Sequence, residues 1–111
     1  MEGLKKSSDF KEVYRRRNLR ADDLLVIYKL ENHLQVNRIG ISVSKKVGNS
    51  VVRHRLKRQI REMARLHADF LHPGFDLVIV VRKNASKEDV SYHELEKSFL
   101  RLARRHHLLV L

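Results

Sequence analysis

The sequence predicts an α/β fold of the α+β kind: a small α–β sandwich in which helices pack on a sheet. Three observations lead there. Residues 38–44 alternate apolar and small polar side chains in the two-residue rhythm of a strand, and residues 24–30 and 76–82 are short β-branched runs of strand length. Three other segments repeat apolar residues at steps of three and four, the mark of a helix with one buried face. In chain order these read α, β, β, α, β, α. A sheet and amphipathic helices hide their apolar faces against one another. At 111 residues, with four Gly and the single Pro73, the chain has the length of one domain, residues 1–111, and no flexible linker divides it.

The elements follow in order. Asp9 is placed to cap the first helix, with Glu12 three residues on as its box partner. Phe10, Val13 and Tyr14 then share a face, and Asn18 ends the helix after Arg15, Arg16 and Arg17. A short extra strand near residues 18–22 is compatible with the pattern. In the next strand Leu24, Val26, Tyr28 and Leu30 point one way and Leu25, Ile27 and Lys29 the other. Glu31, Asn32 and His33 read as a hairpin turn into the strand at 38–44. There Ile39, Ile41 and Val43 alternate with Gly40, Ser42 and Ser44, a second face too small to close a core, which leaves room for something to lie against it. Asn49 or Ser50 caps the central helix, which runs to about Ala68. Asp76–Arg82 is a central strand buried on both faces. Ser91, with Glu94, caps a last helix whose core stripe is Leu95, Phe99, Leu102 and Ala103.

Composition restricts the chemistry. Twenty-four Lys and Arg against thirteen acids give a net charge of +11, and self-repulsion at that charge opposes compaction. The cations cluster, so a bound polyanion explains them better than a solvated surface. The absence of cysteine excludes disulfides, thiolate metal sites and cysteine nucleophiles. No run approaches the length of a membrane span and no apolar signal core opens the chain, so a soluble, cytoplasmic protein without a membrane partner is expected. Seven His show no metal-binding spacing, and the adjacent His106 and His107 read as surface groups. No phosphate loop, nucleophile elbow or catalytic carboxylate pair appears.

The informative stretch is Lys45–Arg65, with eight Lys or Arg and one acid, Glu62. Val52, Leu56, Ile60 and Met63 fall within an arc of roughly 80° on a helix. His54, Arg58, Arg61 and Arg65 project from the opposite side, and Arg53 and Lys57 line one flank. A helix anchored by one face and densely cationic on the other suits nucleic acid. A strand precedes it where a helix-turn-helix would need a helix. Arg53, Arg55, Lys57, Arg58 and Arg61 can neutralise several phosphates, and Arg does so bidentately. Phe10, Tyr14 and Tyr28 offer faces for unpaired bases. Phe10 suits core or groove, and Tyr28 suits a wet groove edge because of its hydroxyl.

The run Gly48-Asn49-Ser50-Val51-Val52-Arg53-His54-Arg55-Leu56-Lys57-Arg58, closing with Arg61-Glu62, resembles the signature of the bacterial ribonuclease P protein subunit. Ser8-Asp9-Phe10, Gly40 to Lys46 and Asp76 to Lys83 resemble that family's first helix, pre-motif strand and later strand. The resemblance implies a mixed sheet with a left-handed β-α-β crossover at the signature, against the usual hand. It implies a protein that binds a catalytic RNA, one protein per RNA, and the 5′ leader of precursor tRNA. The RNA cuts the leader with Mg²⁺ held mainly by the RNA, the protein supports metal binding and substrate affinity, and no residue of the protein is catalytic. By position, Lys45, Lys46, Asn49, Arg53, His54, Arg55, Lys57, Arg58, Arg61 and Arg65 face RNA, while Phe10, Tyr14, Tyr28 and Ser42 line the leader groove. The family's usual Arg-Asn-Arg is Arg53-His54-Arg55 here. Imidazole is a poorer partner for Mg²⁺ than an amide oxygen, so His54 is expected to donate hydrogen bonds to RNA instead. The alternatives are a structural RNA-binding module resembling a ribosomal protein and, more remotely, an independent nuclease.

Overall fold

A five-stranded mixed sheet with helices on both faces makes up the protein, seen in a computed structural model that describes residues 1–110. In chain order the elements are β1 (Glu2–Gly3), α1 (Ser7–Arg16), β2 (Leu19–Ala21), β3 (Leu25–Glu31), β4 (Arg38–Ser42), α2 (Ser50–Leu66), β5 (Phe75–Val81) and α3 (Tyr92–Arg105). Across the sheet they lie β1-β4-β5-β3-β2. β4 runs parallel to both β1 and β5, whereas β3 is antiparallel to β5 and β2. The six anticipated elements are all present, and the short strand near residues 18–22 is β2. Strand β1 carries no periodic signal, because two residues cannot establish a period.

One expectation fails. Residues 31–33 do turn the chain, but β3 and β4 do not form a hairpin. β5 lies between them and pairs with both. The reason is burial: β5 is the most continuously apolar strand, and the centre of the sheet covers both its faces. A cap also differs. Helix α1 starts two residues before Asp9, with Lys6 at the N-cap and no side-chain cap, so Asp9 stands in the first turn. Glu12 is taken by Arg15 and Arg16, at 2.8 and 3.3 Å. The helix ends at Arg16, and Arg17 adopts the left-handed conformation that stops it, ahead of Asn18. Strand β4 ends at Ser42, and α2 at Leu66, where a 3₁₀ turn over Ala68–Phe70 takes over.

Strand alternation sorts the side chains between the faces. Leu25, Ile27, Leu77, Ile79 and Val81 join Leu56, Ile60 and Met63 of α2 and Leu95, Phe99 and Leu102 of α3 in the main core. On the other face Val13 of α1 packs on Val78 with Leu4, and Phe10, Tyr14, Tyr28 and Leu30 surround them.

Polar clamps hold the layers together. Asp76, only 4% exposed, accepts both arms of the Arg38 guanidinium at 2.7 and 2.6 Å and an amide hydrogen of Asn32 at 3.0 Å. These bonds hold the Arg38 pKa above its ordinary value. Arg38 and Asp76 are register partners on β4 and β5, so the pair fixes their alignment. Asp22 accepts from the Leu24 and Leu25 amides, the Ser98 hydroxyl and Arg101, tying the β2–β3 turn to α3. Burial pushes its carboxyl up, but the Ser98 hydroxyl, the two amides and Arg101 outweigh that and hold its pKa below the ordinary value. His106 is not a surface group: it is 2% exposed, and its Nε2–H donates to the Ile27 carbonyl. Burial holds it neutral, with its pKa lowered.

Arg38→Ala should cost about 2–3 kcal/mol in urea unfolding, because it leaves the buried Asp76 carboxylate without its bidentate partner. The pH dependence has a definite sign. The unfolded imidazole titrates near pH ~6.5, and the folded His106 below that. Its contribution is therefore complete above the unfolded value and is lost as pH falls through the folded one. Unfolding midpoints should begin to drop as pH falls below about 6.5, and His106→Gln should flatten that drop. Asp22 begins to act only below about pH 4, so the loss due to His106 starts first.

Candidate nucleic-acid interface

The interface is assembled by the segment that joins β4 to α2. Val43 and Val47 are buried, and the Val47 amide closes a turn on the Ser44 carbonyl at 3.1 Å. Lys45 and Lys46 are thereby pushed to the exposed tip between them. Asn49 resolves the choice of cap: its Oδ1 accepts from the Val52 amide at 3.0 Å, and Ser50 opens the helix. The Asn49 side-chain oxygen is thus committed to the helix. Arg53 turns back to donate to the Gly48 carbonyl at 3.2 Å. Leu56, Ile60, Met63 and Ala64 seat α2 on the core, as the periodicity requires, and this sets the phase of every cation.

Two cationic surfaces result. Lys57, Arg61 and Arg65, one turn apart, form one wall of a groove of about 510 Å³. Met1–Lys5, Phe10, Ile39–Ile41 and Ala68 complete it. Its lining is therefore apolar at the base and cationic at one rim. Around the helix, Ser50, Val51, His54, Arg55 and Arg58 make a second, shallow patch in which Val51 is 76% exposed. Lys57, Arg61, Arg55 and Arg58 have no carboxylate within ion-pair distance among the described residues. Arg65 does: it meets Glu62 at 2.6 Å. That bond lowers the Glu62 pKa and raises that of Arg65, so Arg65 contributes less free charge to the groove than its neighbours do.

The aromatic candidates form a row. Phe10 and Tyr14 lie with ring centroids 6.5 Å apart, and Tyr14 meets Tyr28 edge-on at 4.9 Å. All three are half-buried, with a face on the core and an edge toward solvent. Gly40, Val78 and Tyr28 are register neighbours across three strands, and Ser42 stands beside Val80 on the same face. The small face of β4 does have something lying against it, as its small side chains allow: the tip of the Phe10 ring abuts Gly40. The opening lies farther toward β1 and α2. Sequence reasoning missed the wall formed by Met1–Lys5. The only hint there is the isolated Leu4 in a polar segment, which proves to be buried.

This arrangement presents exposed, mostly unpaired guanidinium and ammonium groups beside an apolar groove and a row of aromatic edges. It can hold phosphates on one side and unpaired bases on the other. No three His, Asp or Glu side chains converge among the described residues. Asp22 and Asp76 are engaged by Arg101 and Arg38. The donor set does not suit a resident hard divalent cation.

The family model described as Ribonuclease P matches residues 1–107. The chain belongs to the ribonuclease P protein family. It is 45% identical over 108 residues to the ribonuclease P protein component of Lachnoclostridium phytofermentans, covering 97% of this chain and 91% of the relative. It is 42% identical over 106 residues to that of Alkaliphilus oremlandii, covering 96% and 91%. The fold is similar to the crystallised RNase P protein of Staphylococcus aureus, with a TM-score of 0.89 at 29% identity over 98% of both chains. It is also similar to that of Thermotoga maritima, with a TM-score of 0.87 at 29% identity over 95% and 97%. The protein is thus an RNA-binding subunit of a tRNA-processing ribonuclease, and ribonuclease P RNA is its partner.

Lys57→Ala and Arg61→Ala should each lower the slope of log K against log salt for an unstructured RNA strand by about 0.7. The unfolding midpoint should stay unchanged, because neither side chain has an ionic partner to lose. Arg65→Ala should change the slope less, given Glu62. Equal slopes for all three variants and the unaltered protein would place the strand elsewhere.

Proposed function

We propose that the protein lays the 5′ leader of precursor tRNA along the groove while the outer face of α2 rests on ribonuclease P RNA. In this reading Phe10, Tyr14, Tyr28 and Ser42 border the leader. Lys57, Arg61 and Arg65 hold its phosphates, together with Arg53. Lys45, Lys46, Asn49, His54, Arg55 and Arg58 meet the catalytic RNA around the crossover. The observation that carries the reading is the row Lys57, Arg61 and Arg65 lining one side of an apolar groove, with an acidic partner at Arg65 alone among the described residues.

The division of labour follows from what the side chains can do. A row of guanidinium groups lowers the charge repulsion between two RNA molecules and raises the affinity of one for the other. It does not activate a water molecule. Hydrolysis is assigned to the RNA, and the Mg²⁺ it needs mainly to RNA ligands, because the more buried carboxylates, Asp22 and Asp76, are engaged by Arg101 and Arg38 and the other acids do not gather with His into a group of three among the described residues. One protein serves one catalytic RNA. Among the described residues no helix is long and apolar enough to cross a membrane, and the cytoplasm, where precursor tRNA is made, is the proposed compartment.

The test is reconstitution. Purified protein added to ribonuclease P RNA at low Mg²⁺ should raise leader cleavage of precursor tRNA. It should also bind a precursor with a leader more tightly than mature tRNA. A module that only scaffolds RNA would bind without improving cleavage, and that result would overturn the proposal. Cleavage by the protein without RNA would overturn the assignment of chemistry to the RNA.

A further inference from the structure

Gly40 sits in the middle of β4, where glycine is unfavourable because it packs nothing and orders poorly. Its backbone does not require it, since it does not stand in the left-handed region that favours glycine. The requirement is spatial. A methyl group on its Cα would overlap the Phe10 ring, with Cε1 at 2.6 Å, Cε2 at 3.2 Å and Cζ nearer still. Phe10 itself cannot simply retreat, because α1 is anchored by Val13, which is buried against Val78.

Phe10 occupies a junction. On one side it continues the aromatic row through Tyr14 to Tyr28. On the other it is a wall of the groove whose far side is Lys57, Arg61 and Arg65. We infer that Gly40 is a positioning residue for single-strand binding: by giving the Phe10 ring a seat on the sheet, it keeps that ring out of the groove and aligns the aromatic row with the cationic wall. This rests on the groove reading above and deepens it. A side chain at residue 40 would tilt the ring outward, narrowing the groove at the point where bases and phosphates must be held together. The second cationic patch, around Val51, His54 and Arg58, does not include Phe10 or Gly40 and would be untouched.

Two ligands separate the effects. An unstructured oligoribonucleotide probes the groove, and ribonuclease P RNA probes the outer face of α2. Gly40→Ala should weaken oligonucleotide binding about tenfold while leaving affinity for ribonuclease P RNA within about twofold, a split that reflects loss of a stacking contact on one surface only. Phe10→Leu should weaken the oligonucleotide about threefold, since a shorter apolar side chain still fills part of the wall. The double variant supplies the decisive reading. With the ring gone, the added methyl has nothing to displace, so Gly40→Ala with Phe10→Leu should behave like Phe10→Leu alone and not show the product of the two losses. A general loss of stability would not produce that rescue, nor would it spare the second ligand.

Oligonucleotide binding by Gly40→Ala equal to that of the unaltered protein would overturn the inference, and so would multiplicative losses in the double variant. If Gly40→Ala does not fold, Phe10→Leu still decides: oligonucleotide affinity equal to that of the unaltered protein would remove Phe10 from the groove wall. Failure of the unaltered protein to bind the oligonucleotide would overturn the groove reading itself, a result distinguishable from failure of the Gly40 variant alone.

Discussion

The seating of α2 on the sheet is the contact on which the rest depends. Leu56, Ile60 and Met63 are fully buried in the main core, and each contributes roughly 1.5–3 kcal/mol on being removed from water. That gain opposes the repulsion among the cations on the same helix. It also fixes the helix's rotation. Once those three side chains point inward, Lys57, Arg61 and Arg65 can only rise beside β4, and His54 and Arg58 can only face away. A rotation by one residue would place a guanidinium in the core and a leucine in the groove. The apolar stripe is therefore as much a part of RNA recognition as the cations are, although it touches no RNA.

The acids show the complementary logic. Among thirteen acids, the buried ones are used inside the protein. Asp76 locks β4 to β5 through Arg38, and Asp22 locks the β2–β3 turn to α3 through Ser98 and Arg101. Glu12 holds Arg15 and Arg16 on α1. On the crossover and α2, Lys45, Lys46, Arg53, Arg55, Lys57, Arg58 and Arg61 are left without an acidic partner within ion-pair distance among the described residues. A chain of net charge +11 can then be both folded and locally unneutralised. The exception, Glu62 with Arg65, sits at the end of the cationic ridge and tapers the field there.

Binding of a single strand follows from adjacency. Charge alone would hold any polyanion. Here the charge borders an apolar groove, and the groove meets Tyr14 and Tyr28 through one phenyl ring. Stacking rewards only bases that are free of pairing, so the aromatic row adds the discrimination that the cations lack. Both halves are positioned by β4: its Ile39 and Ile41 face the core beneath α2, and its Gly40 receives Phe10 from α1.

Local patterns in the sequence were enough to determine the helices, the strands and the cationic face of α2, because hydrophobic periodicity is a property of neighbours along the chain. The caps at Ser91 and Asn49 belong to the same class of signal, and so does the signature run at Gly48–Arg61. What only the tertiary structure decided are the relations between distant segments. The order of the strands placed β5 between β3 and β4, because the most apolar strand gains most from a central position. Residues 2–3 became a strand solely because the edge of β4 was there to pair with them. His106 was buried by the packing of α3 on β3, which no spacing announces. The small side chains of β4 announced room on that face, but only the fold decided that Phe10 takes part of it, since a ring thirty residues away finds its seat only after both layers have formed.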